Sequence, residues 1–263
     1  MQDLIDGLPA DTIRRFIDDG AIPLPDAFSA DLAARCRARL WADAGLSPGR
    51  PDQWTEAVVR LGPSTDPDLV AAANGPRLHA AFDALCGPGR WLPPAAMGSF
   101  ALRFPDRPGM APAPDTGWHV DMSFGTQAPD FMDWRVNVTS RGRALLMLVL
   151  FTDTGPEDAP TRLRLGSHRR IARRLLPAGD AGLTLRDLAA DGFERTADLP
   201  EAAATGAAGT VWLCHPFLVH AAQDHRGTAP RFLAQPPLLP AHPFDPALPP
   251  SPVQTAIREA CGL

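Results

Sequence analysis

The stretch Gly117-Trp118-His119-Val120-Asp121-Met122 carries the most information in this chain of 263 residues. In an extended strand alternate side chains share a face, so His119 and Asp121 point the same way. Their backbones lie roughly 6–7 Å apart along such a strand, which lets an imidazole and a carboxylate converge on one ion. A third ligand from another strand completes a set of two histidines and one carboxylate. That set leaves three metal positions open, an arrangement suited to non-haem Fe(II) chemistry. His-x-Asp alone also fits a surface strand with two solvated polar residues. With seven His and 30 acidic residues in the chain, such a pair arises by chance, so the decision lies further downstream.

Residues 209–222, Gly-Thr-Val-Trp-Leu-Cys-His-Pro-Phe-Leu-Val-His-Ala-Ala, read as strand, break, strand, with Gly209 and Pro216 as punctuation. His220, on the second apolar run, is the expected third ligand. His215 stands five residues earlier and falls on the opposite face under strict alternation, so it reads as a packed or supporting histidine. The break at Pro216 keeps it as the weaker alternative ligand. A polar turn, Asp224-His225-Arg226-Gly227-Thr228, leads into a further strand, Pro230 to Gln235. His225 in that turn reads as solvated. Arg231 follows His220 by 11 residues. A hairpin of that length sets Arg231 one strand over from His220, where its planar fork suits a carboxylate.

Four ordered stretches, together spanning residues ~10 to ~240, resemble the phytanoyl-CoA dioxygenase family of Fe(II)- and 2-oxoglutarate-dependent oxygenases. Phe16-Ile17-Asp18-Asp19-Gly20-Ala21-Ile22-Pro23-Leu24-Pro25 looks like its opening motif of helix, Gly and short strand. Trp118-His119-Val120-Asp121 matches its Trp-His-x-Asp. Ala159 to His168, ending Leu165-Gly166-Ser167-His168, is similar to its Gly-Ser-His stretch, with Leu165 where the family often has Pro. His220 and Arg231 reproduce its distal pair. The resemblance implies a double-stranded β-helix (jelly roll, cupin-like). It implies Fe(II) on His119, Asp121 and His220, with Arg231 on the far carboxylate of 2-oxoglutarate. It also implies dioxygen as co-substrate, with hydroxylation of a small-molecule metabolite as the default outcome. Halogenating relatives lack the carboxylate ligand, and Asp121 argues against that outcome.

Ala221 and Ala222 stand where the family often has Ser or Gly, so a second polar contact to 2-oxoglutarate comes from elsewhere. Arg103, on the strand from Ser99 to Phe104, is the candidate, with an exposed arginine on a half-buried strand as the competing reading. Trp118, Phe124, Trp134, Arg135 and Arg164 are the expected substrate-pocket residues. Arg162, Arg164, Arg169, Arg170, Arg173 and Arg174 crowd 13 residues. They read either as a solvated face or as a clamp for an anionic substrate. Tyr is absent, which removes any tyrosyl proton donor. His168 reads as structural, and His79 and His242 lie outside the site pattern.

A chain of this length supports one large domain with a substantial core. The longest apolar run, Ala144 to Phe151, is a buried strand rather than the ~20 residues of a membrane helix. Residues 1–6 lack a basic, apolar leader, so the cytoplasm is the expected location. A net charge of −5 argues against nucleic-acid binding, and no protein partner is evident. Cys36, Cys86, Cys214 and Cys261 show no CxxC spacing; Cys36 and Cys214 read as small core residues.

The pattern starts helical. Asp11 to Ile17, Ala30 to Ala42 behind a Ser29 cap, and Pro76 to Leu85 each carry an apolar stripe, so residues 1–90 form a mostly helical part. Short strands follow at 97–104, 117–122, 144–152, 161–165, 209–215, 217–222 and 230–236. They make a jelly-roll core over 97–240 with an insert at 168–200 that reads as a lid. Pro236 to Pro252 reads as an extended cover. The fold class is therefore mainly β with flanking α-helices, and all 263 residues are read as one domain. Two other functions fit the residues without the resemblance. One is a zinc- or manganese-dependent hydrolase or isomerase on a cupin-like barrel; the other is a non-catalytic jelly-roll binding protein.

Overall fold

Local capping chemistry sets where the helices start and stop. Helix α1 (Ala10–Asp19) ends on Gly20 in the left-handed region, with φ 82°. A side chain there would run into the His168 ring, so this close approach requires glycine. Strand β1 (Ala21–Leu24) follows directly. The Ser29 hydroxyl accepts the Leu32 N–H and starts α2 (Ala30–Asp43). Strand β2 (Val58–Leu61) and helix α3 (Pro67–Ala73) come next, then α4 (Pro76–Cys86) with proline in its first turn. The computed structural model describes residues 7–110, 113–243 and 247–263, so the expectation drawn from residues 1–6 lies outside the described residues.

The remaining strands are β3 (Trp91–Leu92), β4 (Phe100–Arg103), β5 (Arg135–Val136), β6 (Leu145–Leu150), β7 (Arg162–Arg164), β8 (Leu183–Thr184), β9 (Glu201–Ala203), β10 (Val211–Cys214), β11 (His220–Ala221), β12 (Arg231–Ala234) and β13 (Pro237–Pro240). Helices α5 (Ser167–Leu175), α6 (Leu185–Ala189) and α7 (Pro252–Cys261) complete the chain. The main sheet runs β1-β10-β6-β12-β4-β2, with β13 beside β6 and β3 beside β13. A smaller sheet runs β11-β7-β9, and β5 pairs with β8. The paired strands are antiparallel throughout. This is the expected jelly roll with helices packed around it.

Strand β6 explains the long apolar run. Leu145, Met147 and Val149 join the core shared with helices α2 and α4. Leu146, Leu148 and Leu150 face the other way, onto Leu163, Leu218 and Leu233. Both faces are buried, so the strand needs a continuous apolar sequence, and each fully buried Leu contributes about 1.5–3 kcal/mol.

Several expectations are corrected. Residues 117–122 form no strand; only an isolated bridge, His119 to His220, survives there. His220 and Arg231 are not neighbours in one hairpin. Strand β11 pairs β7 in the small sheet, while β12 pairs β4 and β6 in the large one. The polar segment between them crosses from sheet to sheet. Residues 237–240 pair as β13 before the chain turns into α7, where Ser251 and Gln254 form a capping box. The extended-cover reading of 236–252 holds at its first end, where β13 is extended, and gives way to helix only at Pro252; its residues 244–246 lie outside the described residues.

Candidate metal centre

His119 is placed by backbone pairing rather than by a strand. Its N–H donates to the His220 carbonyl at 2.9 Å, and the His220 N–H donates back at 3.0 Å. The two imidazoles then lie 4.3 Å apart between ring centres. Asp121 Oδ1 stands 4.0 Å from His119 Nε2 and 3.8 Å from His220 Nε2. The three candidate ligand atoms all lie within 4.8 Å of one another.

The tautomers suit a cation. His119 Nδ1 is 3.0 Å from the Gly117 carbonyl, and His220 Nδ1 is 3.0 Å from the Leu218 carbonyl. Each Nδ1 therefore carries the proton, and each Nε2 turns a lone pair toward Asp121. His220 Nε2 is buried with no hydrogen-bond partner, a position that costs free energy unless something fills it. Burial, with His119 adding to it, pushes the His220 pKa down to about 4, so the ring stays neutral. For Asp121, burial opposes ionisation. Arg143 leads the opposing pull, to which the imidazoles add only when protonated, and the carboxyl lies below its usual range. Two neutral nitrogens and one carboxylate, one nitrogen orphaned, fit a divalent transition metal.

Arg143 is a part of this site that the sequence reading missed. Its Nη1 lies 3.1 Å from Asp121 Oδ2, and its Nη2 donates to the Met122 carbonyl at 3.2 Å. That leaves Oδ1 for the ion. No motif flags an arginine 22 residues from its partner, so only the fold reveals it.

The Gly-Ser-His stretch is a brace. The Ser167 hydroxyl accepts the Val219 N–H at 2.9 Å, one residue before His220. The Gly166 N–H donates to Asp19, and His168 Nε2 lies 3.1 Å from the Ile17 carbonyl. The end of α1 is thus tied to the strand that presents His220. His215 belongs to the same brace. Its Nδ1 accepts the Phe217 N–H at 3.1 Å, so its Nε2–H points to the Val253 carbonyl, 3.2 Å away. Both nitrogens are used, and burial holds the ring neutral.

A cavity of about 510 Å³ opens from the three candidate ligands between the two sheets. Arg231 lines it, is 1% exposed, and leaves Nε and Nη1 without partners. Burial, then the neighbouring Arg103, lowers its pKa to about 9; Asp115 offsets only part of this. Arg103 sits directly across from it in the β12–β4 register. It is buried, against the exposed reading, and is ion-paired to Asp115, which also holds Arg60. Burial opposes the Asp115 charge, but these two arginines keep it ionised.

Trp118 lines the cavity, clasped by Arg164 and Arg162 at 3.9 and 4.4 Å from the ring centre. Phe131 and Met132 form another wall, and Leu185 and Ala189 of the 168–200 insert close over it. The other expected pocket residues lie off the wall. Phe124 stacks beneath Arg141. Trp134 donates its indole N–H to Ala128, and Arg135 holds the carbonyls of Ala181 and Gly182. Buried Arg164 holds Phe193 and Thr196. In the arginine cluster, Arg162 pairs with Glu201, Arg169 with Glu259, Arg170 with Asp198 and Arg174 with Asp191, while Arg173 donates to Ala260. Arg169 and Arg173 tie the insert to α7, Arg170 and Arg174 brace it internally, and none of the five lines the cavity. His225, expected to be solvated, is 2% exposed, turned inward from a segment whose Asp224, Arg226 and Thr228 stay exposed.

This jelly roll, with two imidazoles and one carboxylate at its open end, is the framework of the non-haem iron- and 2-oxoglutarate-dependent oxygenases. The chain belongs to the phytanoyl-CoA dioxygenase (PhyH) family, which it matches over residues 16–233. Its structure is similar to that of SnoK, a non-haem α-ketoglutarate-dependent carbocyclase from nogalamycin biosynthesis. The TM-score is 0.59 and the identity 18%, over 90% of this chain and 85% of that one. It is also similar to EctD from S. alaskensis with 2-oxoglutarate and 5-hydroxyectoine, at TM-score 0.53 and 23% identity over 89% and 76% of the two chains. HygX from Streptomyces hygroscopicus, with nickel, 2-oxoglutarate and hygromycin B, gives TM-score 0.53 and 18% identity over 87% and 86%. No curated protein sequence matches the chain. Among the described residues, no helix is long and apolar enough to cross a membrane.

Proposed function

We propose that the protein is a 2-oxoglutarate-dependent dioxygenase that oxidises a small molecule. In this reading His119, Asp121 and His220 hold ferrous iron, and Arg231 holds the far carboxylate of 2-oxoglutarate. Iron, when bound, supplies dioxygen activation coupled to oxidation of 2-oxoglutarate. The observation that carries the reading is Arg231. A guanidinium this deeply buried, with two N–H groups unpartnered and no carboxylate of its own, is costly. A dicarboxylate arriving beside the metal ligands removes that cost.

The chain's own residues divide the work. Two neutral imidazoles and the Asp121 carboxylate give the ion one negative charge, and Arg143 holds the second oxygen of that carboxylate away from it. Arg103 shares the wall with Arg231 but is already matched by Asp115. It therefore orients the co-substrate by field and shape rather than as a free anchor. Trp118, Phe131, Met132 and Leu185 face the open side of the cavity. They exclude water and offer an apolar surface to the substrate. The arginine cluster is spent on internal partners, so the reading is of a substrate held chiefly by its apolar body. All residues from 1 to 263 are taken as one oxygenase domain. A screen of metabolites for substrate-dependent succinate release tests this. Release stimulated by an apolar small molecule supports the proposal; release stimulated only by polyanions overturns the substrate class.

A further inference from the structure

A second cavity, of about 320 Å³, lies on the other side of Arg143 from the metal centre. Its apolar lining includes Val138, Ala144, Val253 and Ile257. Among the described residues its charged side chains are Arg90, Arg143 and Arg258, with the His242 imidazole beside them. Arg90 is held by the Pro249 carbonyl and Gln254. Arg258 forms no ion pair among the described residues. Arg143 keeps a buried Nε without a partner. Arg143 is matched by Asp121 on its far side, which leaves Arg258 as the guanidinium free to meet a ligand with one anionic group and a short hydrocarbon body in this apolar hollow.

Arg143 belongs to both places. It lines this cavity, and its Nη1 holds Asp121 Oδ2 at 3.1 Å. We infer that this second cavity binds a small organic anion, and that Arg143 transmits its occupancy to the metal ligand Asp121. The coupling has a definite sign. An anion in the cavity draws guanidinium charge away from Asp121, and the freed carboxylate binds a cation more strongly. A cation on Asp121 weakens its hold on Arg143, and the arginine then serves the anion better. Linkage requires both effects to have the same size. The coupling rests on the metal reading of Asp121, whereas the binding does not.

Hexanoate is the probe, titrated calorimetrically into metal-free and Co(II)-loaded protein. The expected result is binding in both states, tighter by about 5-fold or more with Co(II). Arg258→Glu, on a half-buried side chain, should abolish hexanoate binding and leave Co(II) affinity intact. Ile257→Trp, which fills the hollow, should do the same. Arg143→Met should retain some hexanoate affinity but lose its dependence on Co(II). The inference is overturned if hexanoate does not bind the wild type, or if binding survives both Arg258→Glu and Ile257→Trp. Hexanoate held on the metal itself would give that second result. Coupling that persists in Arg143→Met removes Arg143 as the link. Failure of Co(II) to bind the wild type overturns the metal reading and the coupling together, while the metal-free titration still decides the cavity.

Discussion

Replacing Arg231 by Met should make the metal-free protein more stable while disabling co-substrate binding. The guanidinium is 1% exposed, its Nε and Nη1 are unpartnered, and Arg103 stands directly across the sheet. Its pKa falls from the ordinary arginine range to about 9, chiefly through burial. That drop corresponds to a ceiling of roughly 5 kcal/mol for keeping the charge buried at neutral pH. Water entering the cavity and the loss of favourable packing reduce the recoverable part to about 1–4 kcal/mol. Met fills similar volume without the charge, so urea unfolding of the metal-free variant should show a higher midpoint with an unchanged slope. In the same variant the far carboxylate of 2-oxoglutarate loses a charge-assisted pair worth at least ~1.5–3 kcal/mol, a roughly 10- to 100-fold rise in Kd. Arg231→Lys keeps the charge but loses the fork, and should fall between the two. A destabilised Arg231→Met variant that still binds 2-oxoglutarate normally would refute the reasoning, because the arginine would then be a structural cation with a hidden partner.

Three further outcomes follow from the geometry. His220→Ala should cut Co(II) affinity at least 10-fold by calorimetry, whereas His215→Ala should lower the unfolding midpoint and keep metal binding; the reverse pattern would exchange their roles. His168 is buried and neutral, its pKa pushed from 6.5 to about 4 mainly by burial. The unfolded chain therefore takes its proton first. The stability that His168 contributes is complete above 6.5 and is lost as pH falls toward 4, to a total of about 3 kcal/mol. Urea midpoints measured across that range should decline less steeply in His168→Gln, and equal slopes would remove His168 as the cause. Arg164→Ala should release Phe193, Thr196 and the Trp118 ring together, lowering the thermal midpoint and raising indole exposure to acrylamide quenching. An unchanged midpoint with an altered substrate KM alone would return Arg164 to the pocket.

Much of the site was legible because its signals are local. His119 and Asp121 share a tripeptide, and His220 sits on an apolar run whose burial is written in its composition. The Ala144–Phe151 run identified the central strand for the same reason. Helices α1, α2 and α4 were legible from stripes and caps, within a residue or two at each end. What stayed hidden depends on long-range placement. Arg143 is an ordinary arginine until the fold sets it against Asp121, and Arg103, already a candidate, gave no sign of its pairing with Asp115. His225 looked solvated because its neighbours are polar and exposed, yet its own ring turns inward. The arginine cluster read either as a solvated face or as a clamp, because sequence spacing cannot reveal that Glu201, Glu259, Asp198 and Asp191 meet it one by one. Helix α7 was missed because its proline-rich lead-in masks the Ser251 capping box.

The most direct test of the central claim is an anaerobic titration of the metal-free protein with Fe(II) and 2-oxoglutarate, followed by visible absorption. A charge-transfer band should appear only when both are present, and should be lost in His220→Ala and Asp121→Ala. Absence of the band from the wild type, with Fe(II) and 2-oxoglutarate in excess, would contradict the assignment.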